Sequence, residues 1–88
     1  MYGNVTVTTT ASSSIQPNTK RQSIILLNYG DSTIFLGQDS LLSTVNGLPL
    51  LSGDSLTESN DGTRQYLGPY YAMTSTGTTD LRFWERER

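Results

Sequence analysis

The chain contains no cysteine and no histidine. Without cysteine there is no disulfide and no thiolate metal site, and cysteine usage says nothing about redox compartment. Without histidine the commonest general base and the commonest transition-metal ligand are both missing. Charge is scarce too: only 16% of residues are charged and the formal net charge is −2. That balance is too near neutral for electrostatic capture of nucleic acid or an anionic membrane. No apolar run reaches the length of a membrane span. The opening Met1-Tyr2-Gly3-Asn4 has neither a basic nor an apolar signal region, so the expectation is a soluble protein used where it is made. With 88 residues there is material for one domain. A domain this small buries roughly 60% of the surface its unfolded chain exposes, and self-association is a common remedy.

Ser and Thr take the polar share instead. Residues 4–14, NVTVTTTASSS, are low in complexity, with Val5 and Val7 alternating with polar residues. The expectation is an extended arm over residues 1–21, carrying one edge-strand segment and ending at the turn Gln16-Pro17-Asn18-Thr19. The arm is either mobile or laid on a neighbour. An antiparallel β domain is expected over residues 22–88.

Within it, Ser23 to Tyr29 hold four consecutive aliphatics, Ile24 to Leu27, which give both faces of a strand something to bury. Asn28-Tyr29-Gly30-Asp31-Ser32 supplies turn chemistry, because Asn and Asp bond back to their own backbone and Gly takes positive φ cheaply. Thr33 to Leu36 then return, with Ile34 and Leu36 on one face and Phe35 on the other, which reads as a hairpin. Leu41 to Val45 form a weaker strand and Asn46-Gly47 a turn. In Leu48-Pro49-Leu50-Leu51 the proline argues against a central strand. Ser55 to Glu58 read as a short strand, and Asn60-Asp61-Gly62 as a loop. Tyr70 to Ser75 and Thr79 to Glu85 read as a second hairpin about Gly77, with Leu81 and Phe83 on one face and Arg82, Trp84 and Arg86 on the other. No window has a helical apolar period. Short strands separated by Gly-containing turns define an all-β fold, a small antiparallel β-sandwich or barrel.

Gly53-Asp54-Ser55-Leu56 matches the nucleophile signature of small lipases and esterases. A serine hydroxyl needs a base to activate it, and there is no histidine to serve. A second Gly-Asp-Ser lies at Gly30-Asp31-Ser32, again in turn context, so GDSL reads as a Gly-Asp turn leading into a strand. Asp54, Glu58 and Asp61 lack the spacing of a calcium loop and read as solvated surface. No metal and no cofactor is expected, and the expectation is a protein without enzymatic activity. The C-terminal FWERER interleaves aromatics with arginines, but Glu85 and Glu87 cancel the field that nucleic acid would need. An outward Trp84 flanked by Arg82 and Arg86 has instead the composition of a protein–protein contact.

Apolar residues also appear on both faces of other strands: Ile24 and Leu26 against Ile25 and Leu27, and Tyr70 and Ala72 against Tyr71 and Met73. One small sandwich needs a single apolar face per sheet. The surplus calls for a second cover: the arm, a symmetry mate or a larger partner. The expected interface residues are Val5, Val7, Tyr71, Met73, Arg82, Trp84 and Arg86.

The order of segments adds a resemblance. P-N-x-x-R-x-x-I-x-L-x-N-x-G at Pro17 to Gly30, I-F-L-G at Ile34 to Gly37, N-G-L-P-L-x-x-G-x-x-L at Asn46 to Leu56, and G-P-Y-Y-A-M-T-S-x-G-T-x-D-L-R at Gly68 to Arg82 resemble small β-domains of tailed-phage virions. The likeness covers most of residues 17–84 and is a pattern of turns and core positions. It implies a place in particle architecture, as a capsid decoration (cement) protein or a collar or fibre component, with no active site to carry over. The implied partner is the major capsid protein or another virion protein; self-association is also expected, as a trimer or another closed oligomer. The implied location is the virion, assembled in the host cytoplasm, with no part for nucleic acid or membrane. A different class remains beside it: a carbohydrate- or receptor-binding module of a tail fibre or collar, with Tyr66, Tyr70, Tyr71 and Trp84 as an aromatic platform.

Overall fold

The computed structural model describes residues 1–59 and 66–87. Among them every regular element is a β-strand: β1 Tyr2–Val7, β2 Ser12–Ile15, β3 Arg21–Asn28, β4 Ile34–Gly37, β5 Leu48–Leu50, β6 Ser55–Ser59, β7 Tyr70–Thr74 and β8 Thr79–Glu87. Two four-stranded antiparallel sheets result. Sheet A has the order β1-β8-β3-β6, and sheet B the order β2-β7-β4-β5. The all-β sandwich expected from the strand pattern is the observed fold.

Alternation along each strand sends one set of side chains between the sheets. Val7, Ile24, Leu26 and Leu81 from sheet A meet Ile15, Ile34, Leu36, Leu50, Tyr70 and Ala72 from sheet B in one core. Phe35 points away from Ile34 and Leu36, as their alternation requires. Pro49 lies on β5, an edge strand, where its missing N–H costs no ladder bond. The Ser52-Gly53 turn closes with Asp54 N–H donating to the Leu51 carbonyl at 2.9 Å, and Gly53 takes φ +83°. The GDSL stretch is thus a turn running into β6.

Three expectations are corrected. First, residues 1–21 are not a detached arm. β1 pairs with β8 from Tyr2↔Trp84 to Val7↔Thr79, and β2 pairs with β7. The radius of gyration, 12.2 Å, is that of a compact chain of this length, about 12 Å. The Thr/Ser run looked unable to bury anything, but Val7 and Ile15 each drop one side chain into the core while the polar residues face out. Second, neither hairpin forms. β3 and β8 belong to sheet A, β4 and β7 to sheet B, so both turns carry the chain from one layer to the other. Third, residues 41–45 are not a strand. Their backbone is held in turns by Asp39, Ser43 and Asn46 side chains, with the Asp39 carboxylate accepting from Leu41 N–H and the Asn46 carbonyl from Ser43 N–H. Leu42 is buried, and a Cβ on Gly37 would meet it at 2.9 Å, so this loop covers part of the outer face of sheet B.

Two buried polar residues lock the layer crossings. Asn28 is fully buried and satisfied. Its amide nitrogen donates to the carbonyls of Ser32 (2.7 Å) and Leu50 (2.8 Å), and its oxygen accepts from Gly30 N–H and the Thr79 hydroxyl, both at 3.1 Å. It closes the local turn, as its residue type suggested, and also ties β3 to β5 and β8. Arg21 is likewise fully buried. Its guanidinium donates to Glu85 Oε2 at 2.5 Å and to the carbonyls of Gln16 (2.9 Å), Tyr66 (3.1 Å) and Gly68 (2.8 Å). It stitches the β2–β3 connection and the segment before β7 onto β8.

Candidate functional site

The antiparallel register lays the outer face of sheet A out as a grid. One row across the sheet reads Tyr2, Trp84, Ile25, Thr57; the next reads Asn4, Arg82, Leu27, Ser55. Opposite residues in such rows are direct side-chain neighbours. The Tyr2 and Trp84 rings stack with centroids 5.6 Å apart and planes inclined by 22°. Trp84 still leaves 59% of its surface exposed, Tyr2 75% and Ile25 43%. Together with Leu27 and Arg82 they border a shallow groove of about 470 Å³. Arg82 is held at its rim, donating to Asp80 Oδ2 at 3.1 Å and lying 4.0 Å from the centroid of the Tyr29 ring. Arg86 stands exposed farther along β8.

The seven residues expected at an interface do not form one surface. Arg82, Trp84 and Arg86 share the outer face of sheet A. Tyr71 and Met73 lie half-buried on the outer face of sheet B, beside Gly37 and Phe35. Val5 is half-buried and faces the inter-sheet space from the free edge of β1. Val7 is fully buried in the core, which corrects its assignment to a surface: parity along β1 turns it inward opposite Thr79. Conversely, Tyr2 joins Trp84 with no local signal to announce it, since the two are brought together only by pairing of the first and last strands.

The proposed aromatic platform is not assembled. Tyr70 is buried between the sheets, and Tyr66 packs edge-on against it at 5.3 Å. Tyr71 and Trp84 face opposite sides of the sandwich. Burial pushes the Tyr70 phenol well above its ordinary value, and its hydrogen bond to the Glu58 carboxylate, with that group's negative charge, pushes the same way. Burial also raises Tyr66. These tyrosines are neutral hydrogen-bond donors of the core.

Ser55 lies exposed at the start of β6, with no histidine anywhere in the chain to activate it. Of the carboxylates near it, Glu58 is engaged by Tyr70, and Asp61 lies outside the described residues, as do the Asn60-Asp61-Gly62 loop and Arg88. Among the described residues there is no cluster of three His, Cys, Asp or Glu side chains placed to hold a metal ion. The geometry defines a class: a small two-layer antiparallel β-sandwich that carries an exposed apolar, aromatic patch on the outer face of sheet A. No protein-family description, no curated protein and no solved structure matches this chain.

Proposed function

We propose that this chain is a non-enzymatic structural protein of a tailed-phage particle, a capsid decoration protein that binds the outer head surface through the outer face of sheet A. The observation that carries the reading is the exposed Tyr2–Trp84 stack with Ile25 beside it. The outer face of sheet B is partly covered by the loop bearing Leu42, whereas these side chains lie open. A contiguous apolar patch rimmed by arginines is the usual composition of a protein contact. Burying what Trp84 leaves exposed would contribute about 3 kcal/mol before the costs of association. The resemblance of residues 17–84 to virion β-domains supports the choice of the major capsid protein as partner.

The test is co-sedimentation of the purified chain with expanded head shells of the phage that encodes it. Wild-type chain should pellet in fixed ratio to the shell protein. Trp84→Ala should keep its circular dichroism and bind at least about thirtyfold more weakly, as expected of a central aromatic anchor. Absence of the chain from washed particles by mass spectrometry would refute the assignment.

A further inference from the structure

Among the described residues four strands lie at sheet edges: β1 and β6 in sheet A, β2 and β5 in sheet B. Exposed edges invite pairing with another chain, and proteins blunt them with prolines, bulges, short length or inward-pointing charges. β5 is three residues long and contains Pro49. β2 is four residues long and its register breaks between Ser13 and Ile15. β6 turns Glu58 toward the Tyr70 hydroxyl. β1 has none of these devices. Its six residues, YGNVTV, carry no charge and no proline, and its register with β8 runs unbroken.

The hydrogen-bond phase of β1 shows which groups are free. Met1 and Glu85 exchange both backbone bonds, Met1 amine to Glu85 carbonyl at 2.8 Å and Glu85 N–H to Met1 carbonyl. In an antiparallel ladder such pairs alternate with non-bonded ones. Gly3, Val5 and Val7 therefore bond inward to β8, while Tyr2, Asn4 and Thr6 direct N–H and C=O to the open side. Asp80, opposite Thr6, confirms the phase, because its carbonyl turns the other way and accepts from Tyr29 N–H at 2.8 Å.

We infer that β1 is a self-association edge whose occupant is β1 of a second copy, paired antiparallel about a two-fold axis at Asn4. Tyr2, Asn4 and Thr6 then face Thr6, Asn4 and Tyr2 of the other chain, and each facing pair exchanges two backbone bonds. The sequence is compatible with itself in this register: no charge meets a like charge along β1, and the edge beneath it, Ser12–Ile15, is also uncharged. The inward residues Gly3 and Val5 come side by side across the axis, covering half-buried Val5 and the open flank of a cleft of about 460 Å³ that Phe83, Ile15 and Pro17 help to line. Two copies of sheet A become one continuous sheet, with a Tyr2–Trp84 stack on either side of the axis. The contact is isologous and closes at two copies, a closed oligomer other than the trimer expected from the sequence. It uses a strand edge rather than a sheet face, so it stands or falls separately from capsid binding.

Sedimentation velocity of the purified full chain over a wide concentration range tests this. Wild type should sediment as a reversible dimer. Asn4→Pro removes an N–H that points only to the open side, so the ladder with β8 survives and the circular dichroism should not change. Its dimer should weaken by at least about tenfold. Asn4→Lys, which sets two like charges against each other at the axis, should do the same, and it decides the matter if the proline variant loses its fold. Amide exchange at Tyr2, Asn4 and Thr6 should slow as concentration rises. A wild-type chain that stays monomeric, forms a trimer, or pairs only with a foreign peptide would overturn the inference. So would a dimer indifferent to both substitutions.

Discussion

Arg21→Met should be among the most damaging single substitutions in this chain. Arg21 is fully buried, its ion-pair partner Glu85 is nearly so, and its other donors hold the carbonyls of Gln16, Tyr66 and Gly68. Methionine fills a similar volume but leaves the Glu85 carboxylate buried and unpaired. Removing one partner of a buried pair costs about 3–5 kcal/mol. A domain of this length has a total stability of about 4–13 kcal/mol, so the variant should lose a large share of it and approach unfolding at moderate temperature. The loss comes from the stranded carboxylate more than from a missing attraction. Arg21→Met combined with Glu85→Leu should therefore recover most of it, leaving a residual near 1–2 kcal/mol for the part-buried carbonyls. Urea denaturation followed by far-UV circular dichroism, at matched protein concentration, measures the four corners of the cycle. A single substitution costing under about 1 kcal/mol, or a double variant as unstable as the sum of its parts, would refute the reasoning.

Asn28→Ala should cost about 3 kcal/mol, because two carbonyls, the Gly30 N–H and the Thr79 hydroxyl lose a buried partner together. Asn28→Asp should be worse, since it aims a carboxylate at the Ser32 and Leu50 carbonyls; urea midpoints rank the two. Tyr70 makes stability depend on alkaline pH. Its phenol is raised in the folded chain, so above the ordinary tyrosine value, about pH 10, the unfolded chain releases a proton that the folded chain keeps. Stability is then full below pH 10 and falls as pH rises beyond it. Tyr70→Phe should flatten that slope in urea titrations between pH 8 and 11, leaving a smaller one from Tyr66, which is raised in the same direction. An unchanged slope would show that Tyr70 is not its source.

Much of this molecule was legible along the chain. Period-two alternation and Gly-containing turns placed strands β3, β4, β6, β7 and β8, put Ile34 and Leu36 on the face opposite Phe35, and set Trp84 on the outward face opposite Leu81, because side-chain parity is a local property of extended backbone. Pro49 argued against a central strand because a missing N–H is a local fact as well. The absence of histidine left Ser55 without its customary base, whatever the fold.

What the chain could not announce was partnership at a distance. A turn reports that the backbone reverses, not whether the next strand lies beside the last or across the core from it; that choice rests on Asn28 reaching Leu50 and Thr79, residues 22 and 51 positions away. The edge-strand segment expected around Val5 and Val7 is β1, but residues 1–21 as a whole read as an arm because the ladder partners of β1 and β2 lie at the other end of the chain, and an edge strand needs only a residue or two for the core. Nothing local to Arg21 points to Glu85, 64 positions on, which only folding brings against it. The Tyr2–Trp84 stack exists for the same reason. Composition and parity decided that the chain folds as strands and which residues of a strand share a face; contact between residues far apart in sequence, visible only once the layers close, decided how the strands divide between two sheets, which polar groups are buried in pairs and which apolar ones are left to meet a partner.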